Sequence, residues 1–417
     1  MPIAHAARTV LAHADCRAYL ISRFLVALGL QMISVVIGWQ VWHLTHSTLY
    51  LGYVGLSSFL PGFLSALPAG QLADRVDRRR ILITCATCFS LASGGLLTVA
   101  LTPHPTVVLI FILAGVTGMT RSFFAPASQS LLPLLVPAEH FPGAVALSSA
   151  TMQTAMIGGP ALGGLIYTLG DQGWGNGAAT VYAVGTTILV LATGFCATLN
   201  TRLIAHNEAE PGLDGLLAGI RYVRSRPEIL GAISLDLFAV LLGGCTALLP
   251  VFASEILHVG SIGLGVLRSA PGLGAAMMAV LLAMRPLERN IGPKLFIAVG
   301  TFGLATIVFG LSQWFWLSLA ALLVLGAADM ISVVIRQTLV QIRTPDAMRG
   351  RVSAISWVFI GASNELGEFE SGLTAAWFGT IPAVIIGGLG TLAVATLWSR
   401  IFPALRRADH LSLEQPG

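Results

Sequence analysis

The feature that most constrains this chain is a series of long apolar runs separated by short polar turns. Each run holds the roughly 20 residues that a helix needs to cross the hydrocarbon core of a membrane. We predict twelve such runs, at residues 18–43, 50–72, 81–101, 106–128, 142–168, 177–199, 229–254, 261–284, 293–311, 315–340, 350–376 and 381–401. With 55% hydrophobic and 10% charged residues, the chain is expected to be an all-α, multi-pass membrane protein.

The longest polar interval divides the twelve runs into two groups of six. Inside it, five apolar residues recur at helical spacing and predict a short amphipathic helix on the membrane surface: Leu213, Leu216, Leu217, Ile220 and Val223. We therefore predict five parts: a cytoplasmic N-terminus at 1–17, a six-helix bundle at 18–200, a cytoplasmic linker at 201–228, a second six-helix bundle at 229–402 and a cytoplasmic tail at 403–417.

Positive charge is confined to alternate turns. All but four of the 23 Lys and Arg residues lie in the termini, the central linker or every second turn, whereas the turns at 43–50, 102–105 and 170–177 hold none. Because Lys and Arg collect on the cytoplasmic side of a membrane, both termini are predicted to be cytoplasmic. The net charge of +4 is thereby explained as a topology signal, and no nucleic-acid partner is expected.

The two groups of runs also resemble each other in sequence. Residues 128–133 align with residues 336–341 at an offset of 208, and Pro61-Gly62 aligns with Pro271-Gly272 at an offset of 210. An offset near half the chain length predicts duplication of a six-helix unit.

A charged stretch that begins at Gly70 reads Gly-Gln-Leu-Ala-Asp-Arg-Val-Asp-Arg-Arg-Arg and is predicted to form a short turn at the membrane surface. It resembles the loop motif of the major facilitator superfamily, Gly-x-Leu-Ala-Asp-Arg-x-Gly-Arg-Arg/Lys, although Asp77 stands where that motif has glycine. The resemblance implies that Gly70 permits close approach of helices and that Asp74 anchors a charge relay. It also implies that Arg75 and Arg79 hold a cytoplasmic gate.

A second motif lies in the fifth run. Gly159, Pro160, Gly163 and Gly164 match the Gly-Pro-x-x-Gly-Gly pattern that the superfamily associates with export by antiport. Together with Trp39-Gln40, Thr344–Arg351 and Asn364-Glu365, these motifs make the chain resemble the branch of enterobactin exporters and drug:proton antiporters. The resemblance implies a protein of the bacterial inner membrane.

Arg121 and Asp329 lie in predicted runs at equivalent positions of the two halves, 208 residues apart. A charge at the centre of a spanning helix costs roughly 3 kcal/mol or more, so such residues are candidates for function. We expect the two to face each other across a central cavity and to pair in at least one state of the transport cycle. The alternative is that each is satisfied separately by local backbone or water.

The eleventh run carries the polar cluster Asn364, Glu365 and Glu368. At about 100° per residue, Glu365 and Glu368 share a face of the helix and Asn364 lies one turn from Glu368. Two neighbouring carboxylates repel each other, and we predict that one of them carries the periplasmic proton while the other binds the substrate. Glu370 points away from Glu365 and is expected to be structural or at the rim.

Other polar residues in the runs are secondary candidates. Asp236 is predicted to form a structural ion pair with Arg23 or Arg336, and Arg268 to meet Glu370 or an anionic substrate. Further residues are candidates for lining the pathway, although aromatic residues in membrane helices more often pack or lie at the interface: Gln31, Trp39, Gln40, Phe123, Phe124, Gln129, Gln337 and Trp357.

These features predict a secondary active transporter and not an enzyme. Neither a nucleotide-binding loop nor metal-ligand spacing is present in the sequence, so no cofactor and no metal are expected. The predicted activity is export of a small organic molecule, siderophore or drug-like, by a monomer driven by protons. Three alternatives remain: import of a siderophore or nutrient, transport of a lysophospholipid-type lipid, and a membrane receptor that transports nothing.

Overall fold

The computed structural model describes residues 9–200, 213–287 and 289–407, apart from the side chains of residues 67, 71, 73–75, 213–218, 346–347, 349–351, 353–355 and 357–358. The described chain is helical and its helices are joined by short turns. The first half contains α1 (Ala14–Thr45), α2 (Thr48–Arg75), α3 (Arg78–Leu101), α4 (Val107–Leu131), α5 (Phe141–Trp174) and α6 (Gly177–Ala197).

The second half begins with a short amphipathic helix and continues with long ones. They are α7 (Leu213–Ser225), α8 (Pro227–Gly243), α9 (Gly260–Met284), α10 (Ile291–Leu311), α11 (Phe315–Arg343), α12 (Asp346–Phe378), α13 (Thr380–Ile401) and α14 (Pro403–Arg406). Every predicted run thus contains a helix, because long apolar stretches satisfy their backbone polar groups internally as helices.

The predicted run at 229–254 lies within a candidate membrane span, Pro227–Ile256, but its second part is not a regular α-helix. The helix α8 ends at Gly243, and a 3₁₀ turn (Thr246–Leu248) and a π-turn (Phe252–Ile256) follow. Two adjacent glycines weaken the helix at this point. Pro250 lacks the N–H that would bond the preceding turn. The chain therefore continues as an irregular helical segment.

Ten helices of the described residues are long and apolar enough to cross a membrane. Five lie in the first half of the chain: α1, α2, α3, α4 and α6. Five lie in the second half: α8 together with the irregular segment after it, α9, α10, α11 and α13. The helices α5 and α12 are longer still, at 34 and 33 residues. Glycine, hydroxyl and carboxylate side chains lower their mean hydropathy.

We predicted that the charged stretch forms a short turn, but most of it is helical. The helix α2 runs to Arg75 and α3 begins at Arg78, so the turn itself is Val76 and Asp77. Asp77 has a φ of −53°, and its carboxylate accepts a hydrogen bond of 3.0 Å from the backbone N–H of Arg79. Aspartate therefore caps α3 at a position where a negative φ makes glycine unnecessary.

The chain divides into two compact units that exchange short segments. Counting described residues alone, unit 1 consists of residues 9–46, 57–200 and 260–269, and unit 2 consists of residues 47–56, 213–259, 270–287 and 289–407. The first part of α2 thus packs with unit 2, and the first part of α9 packs with unit 1.

Equivalent glycines organise the two units. In unit 1, a Cβ atom at Gly118 of α4 would overlap the carbonyl of Ser58 in α2. In unit 2, a Cβ atom at Gly326 of α11 would overlap the carbonyl of Pro271 in α9. The two glycines are 208 residues apart, the offset found in the sequence, so both units use the same close helix contact.

The amphipathic helix α7 packs on unit 2 through its last turn. Val223 is 6% exposed and belongs to a buried cluster with Ile229, Val340 and Val352. The hydroxyl of Tyr222 donates a hydrogen bond of 3.1 Å to the carbonyl of Arg343. Part of the apolar face that we predicted to lie on a membrane is therefore covered by protein.

Candidate functional site

Unit 2 contains a buried ion pair between two of its long helices. Asp236 on α8 and Arg336 on α11 form a salt bridge, with side-chain exposures of 7% and 3%. Arg336 is one of the two partners predicted for Asp236. The other, Arg23 in unit 1, donates a hydrogen bond of 3.1 Å to the hydroxyl of Tyr19.

A small cavity adjoins this ion pair. Three polar residues line it, Asp236, Asp329 and Ser332, and the rest of its lining is apolar: Ala239, Val240, Val299, Phe302 and Ala328. Asp329, Ser332 and Arg336 follow one another at spacings of three and four residues, so they lie along one face of α11. The cavity therefore joins the predicted residue Asp329 to the predicted pair Asp236–Arg336.

The predicted pairing of Arg121 with Asp329 involves one residue from each unit and stays a prediction. Arg121 lies on α4 in unit 1 with an exposed side chain. Asp329 lies on α11 in unit 2 and is partly buried.

Glu365 and Glu368 of α12 lie against the first part of α2, within unit 2. A Cβ atom at Gly55 would lie 2.8 Å from the carbonyl oxygen of Glu365 and 3.1 Å from Oε2 of Glu368. Both glutamates are partly buried. The glycine thus leaves the space in which the Glu368 carboxylate rests on the backbone of α2.

The first part of α2 and the helix α12 make further close contacts. The rings of Tyr53 and Phe369 stack with their centroids 6.0 Å apart. A Cβ atom at Gly372 would lie 2.6 Å from the Cα atom of Gly52. The backbones of α2 and α12 therefore approach at close range on either side of Glu368.

The neighbouring polar residues of α12 bond within the helix. Asn364 is exposed, and its Nδ2 donates a hydrogen bond of 2.9 Å to the carbonyl of Ile360. Oε1 of Glu370 accepts a hydrogen bond of 2.8 Å from the hydroxyl of Thr374. Roles for Asn364 in substrate binding and for Glu370 at the rim stay predictions.

The glycine motif of α5 serves close packing within unit 1. A Cβ atom at Gly159 would lie 2.5 Å from Cβ of Gln31, and one at Gly163 would lie 3.0 Å from the carbonyl of Met32. These contacts set α5 against α1.

The same motif also meets the first part of α9. A Cβ atom at Gly265 would lie 2.5 Å from the carbonyl oxygen of Pro160, and one at Gly164 would lie 3.2 Å from the Cα atom of Gly265. Close by, Nη2 of Arg268 donates a hydrogen bond of 2.9 Å to Oγ of Ser34. The predicted meeting of Arg268 with Glu370 or an anionic substrate stays a prediction.

The charged motif is described in part. The side chains of Asp74 and Arg75 lie outside the described residues. Nη2 of Arg79 donates a hydrogen bond of 2.6 Å to the carbonyl of Ala197 at the end of α6. The expected close approach at Gly70 is not found, because a Cβ atom there would meet no other described atom within 4 Å.

Of the residues predicted to line a pathway, some are buried and others are exposed, and their role in a pathway stays a prediction. Gln40 is buried within α1, and its Oε1 accepts a hydrogen bond of 2.7 Å from the hydroxyl of Tyr182. Trp39 is also buried within α1. Gln129 and Gln337 are exposed, and the side chain of Trp357 lies outside the described residues.

Sequence reasoning missed three residues that shape these sites. Ser332 could have been found from its spacing between Asp329 and Arg336. Arg78 lies beside Arg79 in the charged motif, and like Arg79 it donates a hydrogen bond to a backbone carbonyl. Its Nη1 lies 3.0 Å from the carbonyl oxygen of Ser130. Gly55 carried no local signal, because its role depends on a helix more than 300 residues away.

Known proteins match nearly the whole length of this chain. The profile of a family described as "Transmembrane secretion effector" matches residues 8–415. The enterobactin exporter EntS of Citrobacter koseri is 29% identical over 400 residues, which are 95% of this chain and 93% of that protein. EntS of Escherichia coli O1:K1 is 28% identical over the same shares of both chains.

Solved transporter structures share the fold. A bacterial homologue of the human lysosomal transporter Spinster, in an inward-facing and occupied conformation, matches with a TM-score of 0.76 at 14% identity, covering 94% of this chain and 98% of that chain. A D-xylose-proton symporter matches with a TM-score of 0.72 at 17% identity, covering 94% and 99%.

Proposed function

Because the chain belongs to the transmembrane secretion effector family of the major facilitator superfamily, we propose that it exports a small organic molecule in exchange for protons. It is a multi-pass secondary transporter of the bacterial inner membrane and not an enzyme. The proposed substrate is a siderophore or a drug-like compound. The direction and the siderophore class are supported by relatives that are named as enterobactin exporters and match nearly their whole length.

The proposed topology has twelve spanning helices in two bundles, at 18–200 and 229–402, with both termini in the cytoplasm. The twelve are the ten helices that are long and apolar enough to cross a membrane, together with α5 and α12. Their 34 and 33 residues exceed the roughly 20 that a crossing requires. Alternating access between the two sides of the membrane then moves the substrate.

The observation that carries the coupling proposal is the placement of the Glu368 carboxylate against Gly55. Glu365 lies on the same face of α12 and contacts Gly55 through its backbone carbonyl, and separation of α2 from α12 would hydrate the Glu368 carboxylate. Neutralising one carboxylate with a proton reduces both the repulsion and the cost of desolvation. A proton taken up here would favour the packed arrangement, and its release would favour the separated one.

Transport into inverted membrane vesicles tests this proposal. Enterobactin, added outside vesicles with an acidic interior, is expected to accumulate inside, and a protonophore should abolish the accumulation. The double variant E365Q/E368Q should lose gradient-driven accumulation at equal amounts of membrane-inserted protein, whereas E255Q, which changes an exposed glutamate, should keep it. Full coupling in the double variant would refute these residues as proton carriers.

Comparing right-side-out with inverted vesicles tests the direction of transport. Accumulation of enterobactin in right-side-out vesicles but not in inverted ones would contradict export and favour import. If a lysophospholipid accumulates in inverted vesicles and neither enterobactin nor cationic drug probes do so, the substrate class is wrong.

A further inference from the structure

A small cavity inside unit 2 contains acidic side chains apart from the coupling site proposed above. It is formed by α8, α10 and α11, and the α12 glutamates are absent from its lining among the described residues. Its polar groups are the carboxylates of Asp236 and Asp329 and the hydroxyl of Ser332.

The charges around this cavity do not balance. Asp236 is neutralised by its salt bridge with Arg336. Asp329 forms neither a hydrogen bond nor an ion pair with any other residue that the structure describes. The cluster of three ionisable groups therefore carries one net negative charge, and the side chains that α8 and α10 otherwise contribute are apolar: Ala239, Val240, Val299 and Phe302.

Ser332 provides an independent indication of a ligand. Its side chain is 4% exposed and lines the cavity, yet its hydroxyl has no hydrogen-bond partner within the described part of the chain. Buried hydroxyl groups are normally bonded. A hydroxyl both donates and accepts, so it can bond a carboxylate as well as a carboxylic acid.

The lining favours a proton over a metal cation. Hard cations such as Ca²⁺ take six to eight oxygen ligands, whereas this cavity offers three oxygen-bearing side chains, one of them already bound by Arg336. A single proton removes the excess charge and needs one oxygen atom.

We propose that this cavity is a proton-binding site, at which Asp329 takes up one proton and Ser332 hydrogen-bonds its carboxyl group. The proton adds to a carboxylate oxygen, and the charge of the cluster changes from −1 to 0. The Asp236–Arg336 pair stays intact and fixes the number of protons at one. Only the link from this site to transport rests on the proposed function.

Infrared difference spectroscopy of the purified protein in lipid tests the site directly, with pH as the only variable. The wild type should show a carbonyl band of a protonated carboxylic acid that titrates, and D329N should lose it. S332A should displace the midpoint of that band by about one pH unit, as expected for loss of a hydrogen bond to a charged group, and S332T should restore it.

Controls keep the result interpretable. E255Q changes an exposed carboxylate and should leave the band unchanged. If D329N does not fold, D329E should give a titrating band at an altered frequency. The proposal is overturned if the band keeps its full intensity in D329N or its frequency is unchanged in D329E. It is also overturned if S332A leaves the midpoint of the titration unchanged.

Vesicle transport then separates this site from the proposed function. If the wild type couples enterobactin export to the proton gradient, D329N should export it without dependence on that gradient. Unchanged coupling in D329N would refute a role for Asp329 in coupling while export by antiport stands. If the wild type itself shows no coupling, antiport fails, and the infrared titration still decides whether Asp329 binds a proton.

Discussion

Asp236 and Arg336 illustrate how single residues combine burial with charge in this protein. Each is almost fully buried, and each would be an uncompensated charge without the other. The sequence allowed the pair to be predicted because ionisable residues in apolar runs need partners. It could not choose between Arg23 and Arg336, since that choice depends on how α8 and α11 are rotated against each other.

Removing one partner of this pair should be far more damaging than removing both. We expect R336M to lower the free energy of unfolding by about 3–5 kcal/mol, because Asp236 is left as a buried charge. The double variant D236L/R336M should recover most of that loss. Denaturant unfolding in detergent gives these values. If the loss in D236L/R336M equals the sum of the losses in the single variants R336M and D236L, the two residues are not energetically coupled.

At the scale of helices, the contact between α2 and α12 depends on residues without side chains. Gly52, Gly55 and Gly372 let the two backbones meet. The sequence revealed where the helices lie, because hydropathy is a local property. It did not reveal this contact, or the break after Gly243, because both depend on which helices pack together.

We expect G55A to weaken the contact between α2 and α12. The new methyl group would lie 2.8 Å from the backbone carbonyl oxygen of Glu365, and backbone atoms cannot yield as a flexible side chain can. Overpacking of this kind costs about 1–3 kcal/mol, and thermal unfolding in detergent should detect it.

The matched control for G55A is G158A. A Cβ atom at Gly158 would meet no described atom within 4 Å, and alanine favours a helix over glycine by up to about 1 kcal/mol. G158A should therefore be neutral or stabilising. Equal stability of G55A and G158A would contradict the close approach of α2 to α12.

At the scale of the whole molecule, the two units share an equivalent close contact between helices. The offset of 208 residues between Gly118 and Gly326 joins the sequence repeat to an equivalent helix contact in each unit. The sequence predicts a duplication because short identities recur at that offset. The exchange of the first parts of α2 and α9 between the units could not, since no composition or charge signal marks residues 47–56 or 260–269.

Reporter fusions should establish the topology of the whole chain. Alkaline phosphatase fused after residues 46, 104 or 175 is expected to be active, because those turns lack Lys and Arg and are predicted to be periplasmic. Green fluorescent protein fused to the C-terminus should fluoresce, as it does in the cytoplasm. Active phosphatase at the C-terminus would contradict the even number of crossings.

The meeting of α5 with the first part of α9 has a mechanical consequence. Where Pro160 and Gly164 touch Gly265, backbone atoms of the two helices lie against each other. A hydrogen bond of 2.6 Å between the short side chains of Thr168 and Ser261 joins the same two helices. Few side-chain rotamers would change if the two helices separated at this contact and came together again. Such a contact therefore favours movement of the helices as rigid bodies over repacking of their side chains.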